Sequence, residues 1–258
     1  FMKQFKKSFN KKILNIKILV RGNFPNLYKF LCFIWKQKVK PIFWLTLNKP
    51  KGTLVYVGLN KGDSFAAIHY KFKLAIGYEA NPDLYKELVN KFRKQKHIKI
   101  FNFAASDKDS EAFFNISQNK DMVSSSLNDF SENHKKSVGH LRQIKIKTVN
   151  LANHLSKQNV NFIDQYISDA EGHDYTILKS LEKFITSNRI KKIQCEVTRN
   201  NKKNPYLNIN NFEECFDKLL PSQYQKISSG WGNLTIGRFD DVPSDYNFMD
   251  VVWLNTIR

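Results

Sequence analysis

Cysteine is almost missing from this chain. Cys32, Cys195 and Cys215 are odd in number and lack metal-like spacing. That excludes a disulfide framework and a cysteine-built metal centre, and it reads as free thiols in a reducing compartment. Long apolar runs are missing too. No stretch is long and apolar enough to span a bilayer. Ile13 to Val20 is apolar, but Asn15 and Lys17 interrupt it and no small-residue cleavage site follows, so it does not read as a signal peptide. Acidic residues are absent from one whole region. Residues 1–51 hold 13 Lys or Arg and no Asp or Glu, and so carry about two thirds of the net charge of +19.

What is present is enough for a large core. The 258 residues are 41% hydrophobic and 14% aromatic, which excludes global disorder. The start at Phe1-Met2 reads as a tag scar or an excerpt of a longer chain. Two units are expected: a basic helical appendage over 1–50 and a single α/β domain over 51–258. In the appendage Phe5, Phe9, Ile13 and Ile16 recur near helical spacing with lysines between them. Tyr28, Leu31, Cys32 and Trp35 repeat the pattern after Phe24-Pro25, and Pro41 and Pro50 interrupt the chain. Such helices either cap a domain or lie on an anionic membrane surface. The expected location is accordingly cytoplasmic, with peripheral placement at a membrane as the extension of that reading.

From residue 51 the pattern alternates between strands and helices. Strands are expected at 53–57, 74–79, 98–103, 162–168 and 190–197, and helices at about 63–72, 82–94, 150–158, 173–185 and 210–220. An extended pair, 112–117 and 144–149, flanks a polar insertion, 119–140, that contains Ser124-Ser125-Ser126. Late strands are expected near 223–229, 234–239 and 251–254. This alternation predicts a parallel sheet with right-handed crossovers and ligands beyond the strands' carboxyl ends. Gly58, Glu79, Ala105, Asp169 and Glu196 all fall at such ends.

The organising stretch is Thr53 to Ser64. A β-branched, aromatic strand ends in Gly58-Leu59-Asn60-Lys61-Gly62, and Asp63 or Ser64 can cap the helix that follows. Glu79 closes the next strand, 21 positions after Gly58. An acidic residue at about that distance holds ribose hydroxyls in βαβ nucleotide folds. The loop lacks the Gly-Lys-Ser/Thr ending of a phosphate-binding loop and has fewer glycines than the dinucleotide fingerprint. S-adenosylmethionine, with a ribose and no phosphate, fits such a loop, and nearby carboxylates suit its sulfonium and ammonium groups.

These residues carry a resemblance. Val57 to Ser64, Tyr78-Glu79-Ala80-Asn81-Pro82, Asn102 to Asp107, Ser124 to Ser126 and above all Ser168-Asp169-Ala170-Glu171-Gly172-His173-Asp174 resemble the FkbM-type methyltransferases over about residues 53 to 198. The resemblance implies a Rossmann-like, doubly wound sheet and an S-adenosylmethionine-dependent O-methyltransferase acting on sugars, polyketides or other hydroxyl-bearing small molecules. Carried over, Gly58, Asn60, Gly62 and Ser64 belong to the cofactor loop. Glu79 with Ala80 holds the ribose, Ala105 and Asp107 flank the adenine, and Asp169 meets the methionine or the reaction centre. Tyr56 stands where the family commonly has an acidic residue.

Methyl transfer to oxygen needs in-line alignment and help in removing the acceptor's proton. The candidates are Asp169, His173 and Glu196, with Glu171 and Asp174 nearby. Each has a plainer alternative. Asp169 also serves as a helix-capping carboxylate, His173 as a first-turn residue facing solvent, and Glu196 as a strand carboxylate paired with an Arg. A divalent ion between Asp169 and Glu196 is chemically admissible, but carboxylate pairs also occur in metal-free sites, and no metal is assigned. Ser124 to Ser126 either close over a ligand or form a polar loop. Trp231 with Asn233 makes either a sugar platform or core packing. The expected acceptor is a small molecule or glycan. Two rival readings stand beside it: RNA methylation, prompted by the charge, and a cofactor-less binding module, prompted by Tyr56.

Overall fold

The computed structural model describes residues 39–117, 125–200, 204–231, 234–236 and 247–257, with five isolated positions between 26 and 35. Ser124, Asn233 and most of the expected appendage lie outside the described residues, as does the Trp231 side chain. The first full element is α1 (Lys40–Leu47). Pro41 sits in its opening turn, where a missing N–H costs nothing, so it starts a helix where an interruption was expected.

The domain follows as β1 (Thr53–Val57), α2 (Asp63–Ala66), β2 (Leu74–Tyr78), α3 (Pro82–Phe92), β3 (Ile98–Phe101), β4 (Ala104–Ser106) and β5 (Ser110–Ser117). Then come α4 (Glu132–Val138), β6 (Leu141–Asn150), α5 (Leu151–Lys157), β7 (Gln165–Ser168), α6 (Asp174–Ser180), α7 (Glu182–Thr186) and β8 (Lys192–Thr198). The described chain ends with α8 (Glu213–Leu219), β9 (Tyr224–Trp231), β10 (Leu234–Ile236) and β11 (Phe248–Asn255). An eight-stranded sheet runs in the order β10-β9-β11-β8-β7-β1-β2-β3. Its β8-β7-β1-β2-β3 portion is parallel, and the late strands add antiparallel. This is the expected α/β architecture.

Two local expectations differ. The helix expected over 63–72 stops at Ala66 and gives way to a 3-10 turn at His69–Lys71. The helix expected over 173–185 breaks at Leu181, which is wholly buried and so anchors the break. Ala104–Ser106 leaves the main sheet. It pairs parallel with β6, and β5 pairs antiparallel with β6, in a separate three-stranded sheet. Ala105 is therefore mid-strand in this small sheet, and the parallel main-sheet edge does not include it.

Apolar side chains cover both faces of the main sheet, as parallel strands require. Val55, Val57, Ile76, Tyr166 and Ile193 face one core with α5, α6 and α7. Leu54, Tyr56, Ala75 and Ile167 face the other with α2 and α3. Strand order reverses at β1: β2 and β3 go to one side, β7 and β8 to the other. The crevice at such a reversal is where open α/β sheets bind ligands.

Candidate active site

The reversal brings Gly58 and Asp169 together. Val57 is in register with Ser168, and the Asp169 amide donates to the Val57 carbonyl at 3.1 Å. Gly58 has φ +77, and a Cβ there would overlap the Asp169 carbonyl oxygen and sit 2.9 Å from the carbonyl carbon. A side chain at this point would push the two connections apart. Gly62 is required for a different reason: φ is +73, and a Cβ would sit 2.5 Å from Leu88 of α3. It also serves as the α2 N-cap, so neither Asp63 nor Ser64 caps the helix. Asp63 instead pairs with Lys91 at 2.7 Å, and Ser64 is hydrogen-bonded to Tyr56.

A cleft opens at these carboxyl ends. Gly58, Asn60, Glu79, Ala80, Asp169 and Glu171 supply its polar wall, and Leu84, Phe103, Ala105, Phe114, Leu127 and Ile177 its apolar one. A second recess of about 590 Å³ lies across the glycine loop, bounded by Tyr56, Gly62, Asp63 and Ser64. Gly58, Asn60 and Asp169 belong to both.

Glu79 is buried at the end of β2. Its carboxylate accepts from the Asn60 amide at 2.8 Å and the Asn81 amide at 2.9 Å. Burial pushes its pKa up to about 7, against the pull of those amides and of the Leu59 and Ala80 amides. Asn102 steadies the same corner by donating to the Glu79 carbonyl at 2.8 Å. Asn60 adopts φ +48, and its Oδ1 is buried without a hydrogen-bond partner.

The Asp169–Asp174 segment divides its acidic residues among different tasks. Asp174 is fully buried and accepts from the Ser168 hydroxyl and, at 3.0 Å, from the Ala170 amide. Burial lifts its pKa to about 7, and it locks the loop. Asp169 opens to the cleft yet is ringed by protein. Desolvation, then Glu171, Asp174, Asp250 and Glu79, hold its pKa well above the usual carboxylate range. Glu171 has φ +52 and accepts from the Tyr206 hydroxyl. Its carbonyl accepts from Ser126 at 2.7 Å and Asn128 at 3.2 Å, which ties the polar insertion to the site. Gly172 (φ +87) lets the Tyr206 ring approach, since a Cβ there would sit 2.5 Å from that ring.

Three expected site residues have surroundings that the sequence did not show. His173 lines the main cleft. Its Nε2 lies 3.0 Å from Ser106 Oγ, beside Ala105 on the apolar half, and burial pushes its pKa down to about 4. Glu196 stands two residues before the end of β8, near the strand end where it was expected, and lines neither cavity. It stands opposite Asp250 in the antiparallel register, and its Oε2 is buried without a partner. Asp107 is exposed and lines neither cavity, accepting instead from Ser106 at 3.2 Å. Ala80, Ala105 and Asp169 do line the main cleft, and Ser64 lines the recess. Tyr206 and Asp250 were missed. Neither belongs to a sequence motif, and only the fold carries them to Glu171 and Glu196. Among the described residues no group of three or more His, Cys, Asp or Glu is placed to hold a metal ion.

Solved structures with a similar course include a Methyltransferase FkbM from Methylobacillus flagellatus KT, 12% identical, TM-score 0.48, covering 88% of this chain and 53% of that one. This chain thus spans about half the length of that protein. A magnesium protoporphyrin IX methyltransferase from Synechocystis PCC 6803, with bound SAM, is 13% identical with TM-score 0.41, covering 90% of this chain and 84% of that one. Aeropyrum pernix fibrillarin, in complex with S-adenosyl-L-methionine, is 8% identical with TM-score 0.43, covering 80% and 67%. No curated protein matches the chain in sequence. The sequence profile of the Methyltransferase FkbM domain matches residues 57–225, from the last residue of β1 into β9. With that match over more than half of its length, and the glycine loop, Glu79 and Asp169 gathered at one crevice, the chain belongs to the FkbM methyltransferase domain family.

Proposed function

We propose that this chain is an S-adenosylmethionine-dependent O-methyltransferase whose acceptor is a hydroxyl of a sugar, glycan or other small molecule. The observation that carries the reading is Asp169, a carboxylate on the wall shared by two cavities and surrounded by the acidic residues Glu171, Asp174, Asp250 and Glu79. The residues fit the cofactor. Asn60 Oδ1 is a buried acceptor in want of a donor, and the methionine part offers an ammonium. Phe103, Ala105 and Ile177 form an apolar slot suited to a purine, with Glu79 beside it for the ribose. Bound, S-adenosylmethionine supplies an electrophilic methyl group.

The acidic surroundings favour a cation here, because a positive charge relieves the repulsion among Asp169, Glu171 and Glu79. The same surroundings oppose a polyphosphate acceptor, which weighs against RNA despite the net charge of +19. Asp169, whose proton affinity its acidic neighbours raise, would take the hydroxyl proton as the oxygen gains the methyl group and the sulfur leaves as a neutral thioether. Ser126 and Asn128, fixed on the Glu171 carbonyl, keep the polar insertion over this end of the cleft and limit its water.

Calorimetric titration with S-adenosylhomocysteine tests the first half, with micromolar affinity expected. Labelled-methyl transfer to a panel of sugars and small alcohols tests the second. Absence of S-adenosylhomocysteine binding at millimolar concentration refutes the enzyme reading and leaves the binding module.

A further inference from the structure

The described residues expose ten large apolar side chains, and half of them fall within thirteen positions of the chain. Trp35 is 54% exposed, Val39 41%, Ile42 68%, Leu45 46% and Leu47 69%. The other five, Val89, Phe113, Leu207, Ile227 and Ile257, are scattered over separate elements. Scattered apolar exposure is normal; a cluster marks a contact surface. Val39, the N-cap of α1, and Ile42 and Leu45 within it are spaced three and three, so they form one stripe on that helix. The sequence of α1, KPIFWLTL, has one charge and no polar face. Trp44 takes the inner side, edge-on to Tyr70 with ring centroids 5.7 Å apart. The outer side has apolar surface that a water-facing helix would not carry.

Charge decides what that surface meets. No acidic residue occurs in 1–51, against 13 Lys or Arg. A segment with no acidic residue and an apolar stripe on its described helix together match a bilayer with anionic head groups.

We propose that this protein docks peripherally on anionic lipid membranes through the Val39–Ile42–Leu45 stripe, with the basic charge of the amino-terminal region supplying the attraction to the head groups. The helix leads into the amino end of β1, and Tyr70 precedes the amino end of β2, whereas the cleft opens at the carboxyl ends. Docking therefore leaves the cleft facing away from the lipid.

The test is co-sedimentation of the whole chain with phosphatidylcholine vesicles, with and without roughly a third phosphatidylglycerol. Binding is expected only with the anionic lipid, and it should weaken as salt is raised. Ile42→Asp with Leu45→Asp should lower partitioning about tenfold or more. Both side chains are exposed, so the fold is expected to persist, and unchanged S-adenosylhomocysteine affinity and circular dichroism check that. Val89→Asp, exposed on α3, should change nothing. Three results overturn the proposal: no binding to anionic vesicles, binding indifferent to the double substitution, or a stripe-dependent dimer in light scattering with no lipid binding. None of them bears on methyl transfer.

Discussion

Replacing Gly58 by Ala tests how the crevice is held together. Two costs are expected. The backbone at φ +77 disfavours any Cβ by about 1–3 kcal/mol. The added methyl also overlaps the Asp169 carbonyl and lies 2.9 Å from its carbon, and backbone cannot rotate away as a side chain can. Forced overpacking of this kind adds about 1–3 kcal/mol. The sum, about 2–6 kcal/mol, is a large share of an ordinary domain's 5–15 kcal/mol. Urea unfolding should place Gly58→Ala about 2–6 kcal/mol below the parent. Gly139→Ala serves as the ligand control, since a Cβ there meets nothing within 4 Å, and S-adenosylhomocysteine affinity should fall for Gly58→Ala alone. Parental stability or full ligand affinity in Gly58→Ala refutes the close approach of β1 and β7 as the framework of the site.

Asp169→Asn keeps the shape and removes the base, so kcat should fall by about 10²–10⁴ with little change in S-adenosylhomocysteine affinity; turnover within twofold of the parent would remove Asp169 from proton transfer. Tyr206→Phe deletes the hydroxyl that Glu171 accepts from and leaves the ring over Gly172. Urea titration should show a loss of about 1–3 kcal/mol, and no loss would mean that the hydroxyl is dispensable. His69 is buried beside His97, 3.0 Å away, and burial, then His97, pushes its pKa down to about 4. A depressed histidine contributes stability that is whole above its unfolded pKa of about 6.5 and is lost as pH falls towards 4. His69→Phe should flatten that slope by about 2–3 kcal/mol between those pH values, and a slope identical to the parent's would contradict it.

How much of this was legible in the sequence depended on whether a contact was local. Gly58, Gly62 and Glu79 could be read because a strand-loop-helix-strand unit places them by spacing alone, and β1 and β2 stand in register. Asp169 could be read because β7 ends one residue before it. Glu196 was expected near the end of a strand over 190–197 and is there, but that it faces Asp250 of β11 and lines neither cavity follows from a pairing with no local signal. His173 does line the cleft, but its partner was not legible, because spacing fixes the direction of a side chain only within a helix. It is the N-cap of α6, and Ser106, 67 positions earlier, supplies its partner. Tyr206 and Asp250 reach the site from strands and loops with no local signature. Ala104–Ser106 reads as a continuation of β3, because nothing in a short apolar run says which sheet will take it.

The pairing of β1 with β7 also orders events in time. The Thr53 amide donates to Asp164, 111 positions later, and Leu54 pairs with Gln165. During synthesis β1, β2 and β3 exist long before β7 emerges. Throughout that interval β1 presents an unpaired edge on a strand whose Leu54 and Val55 end up wholly buried. Such an edge is a template for wrong partners. Contacts this distant along the chain also form slowly. The ligand crevice therefore cannot be assembled until β7 has emerged. A nascent chain halted before residue 165 would hold a half-sheet with that edge unpaired.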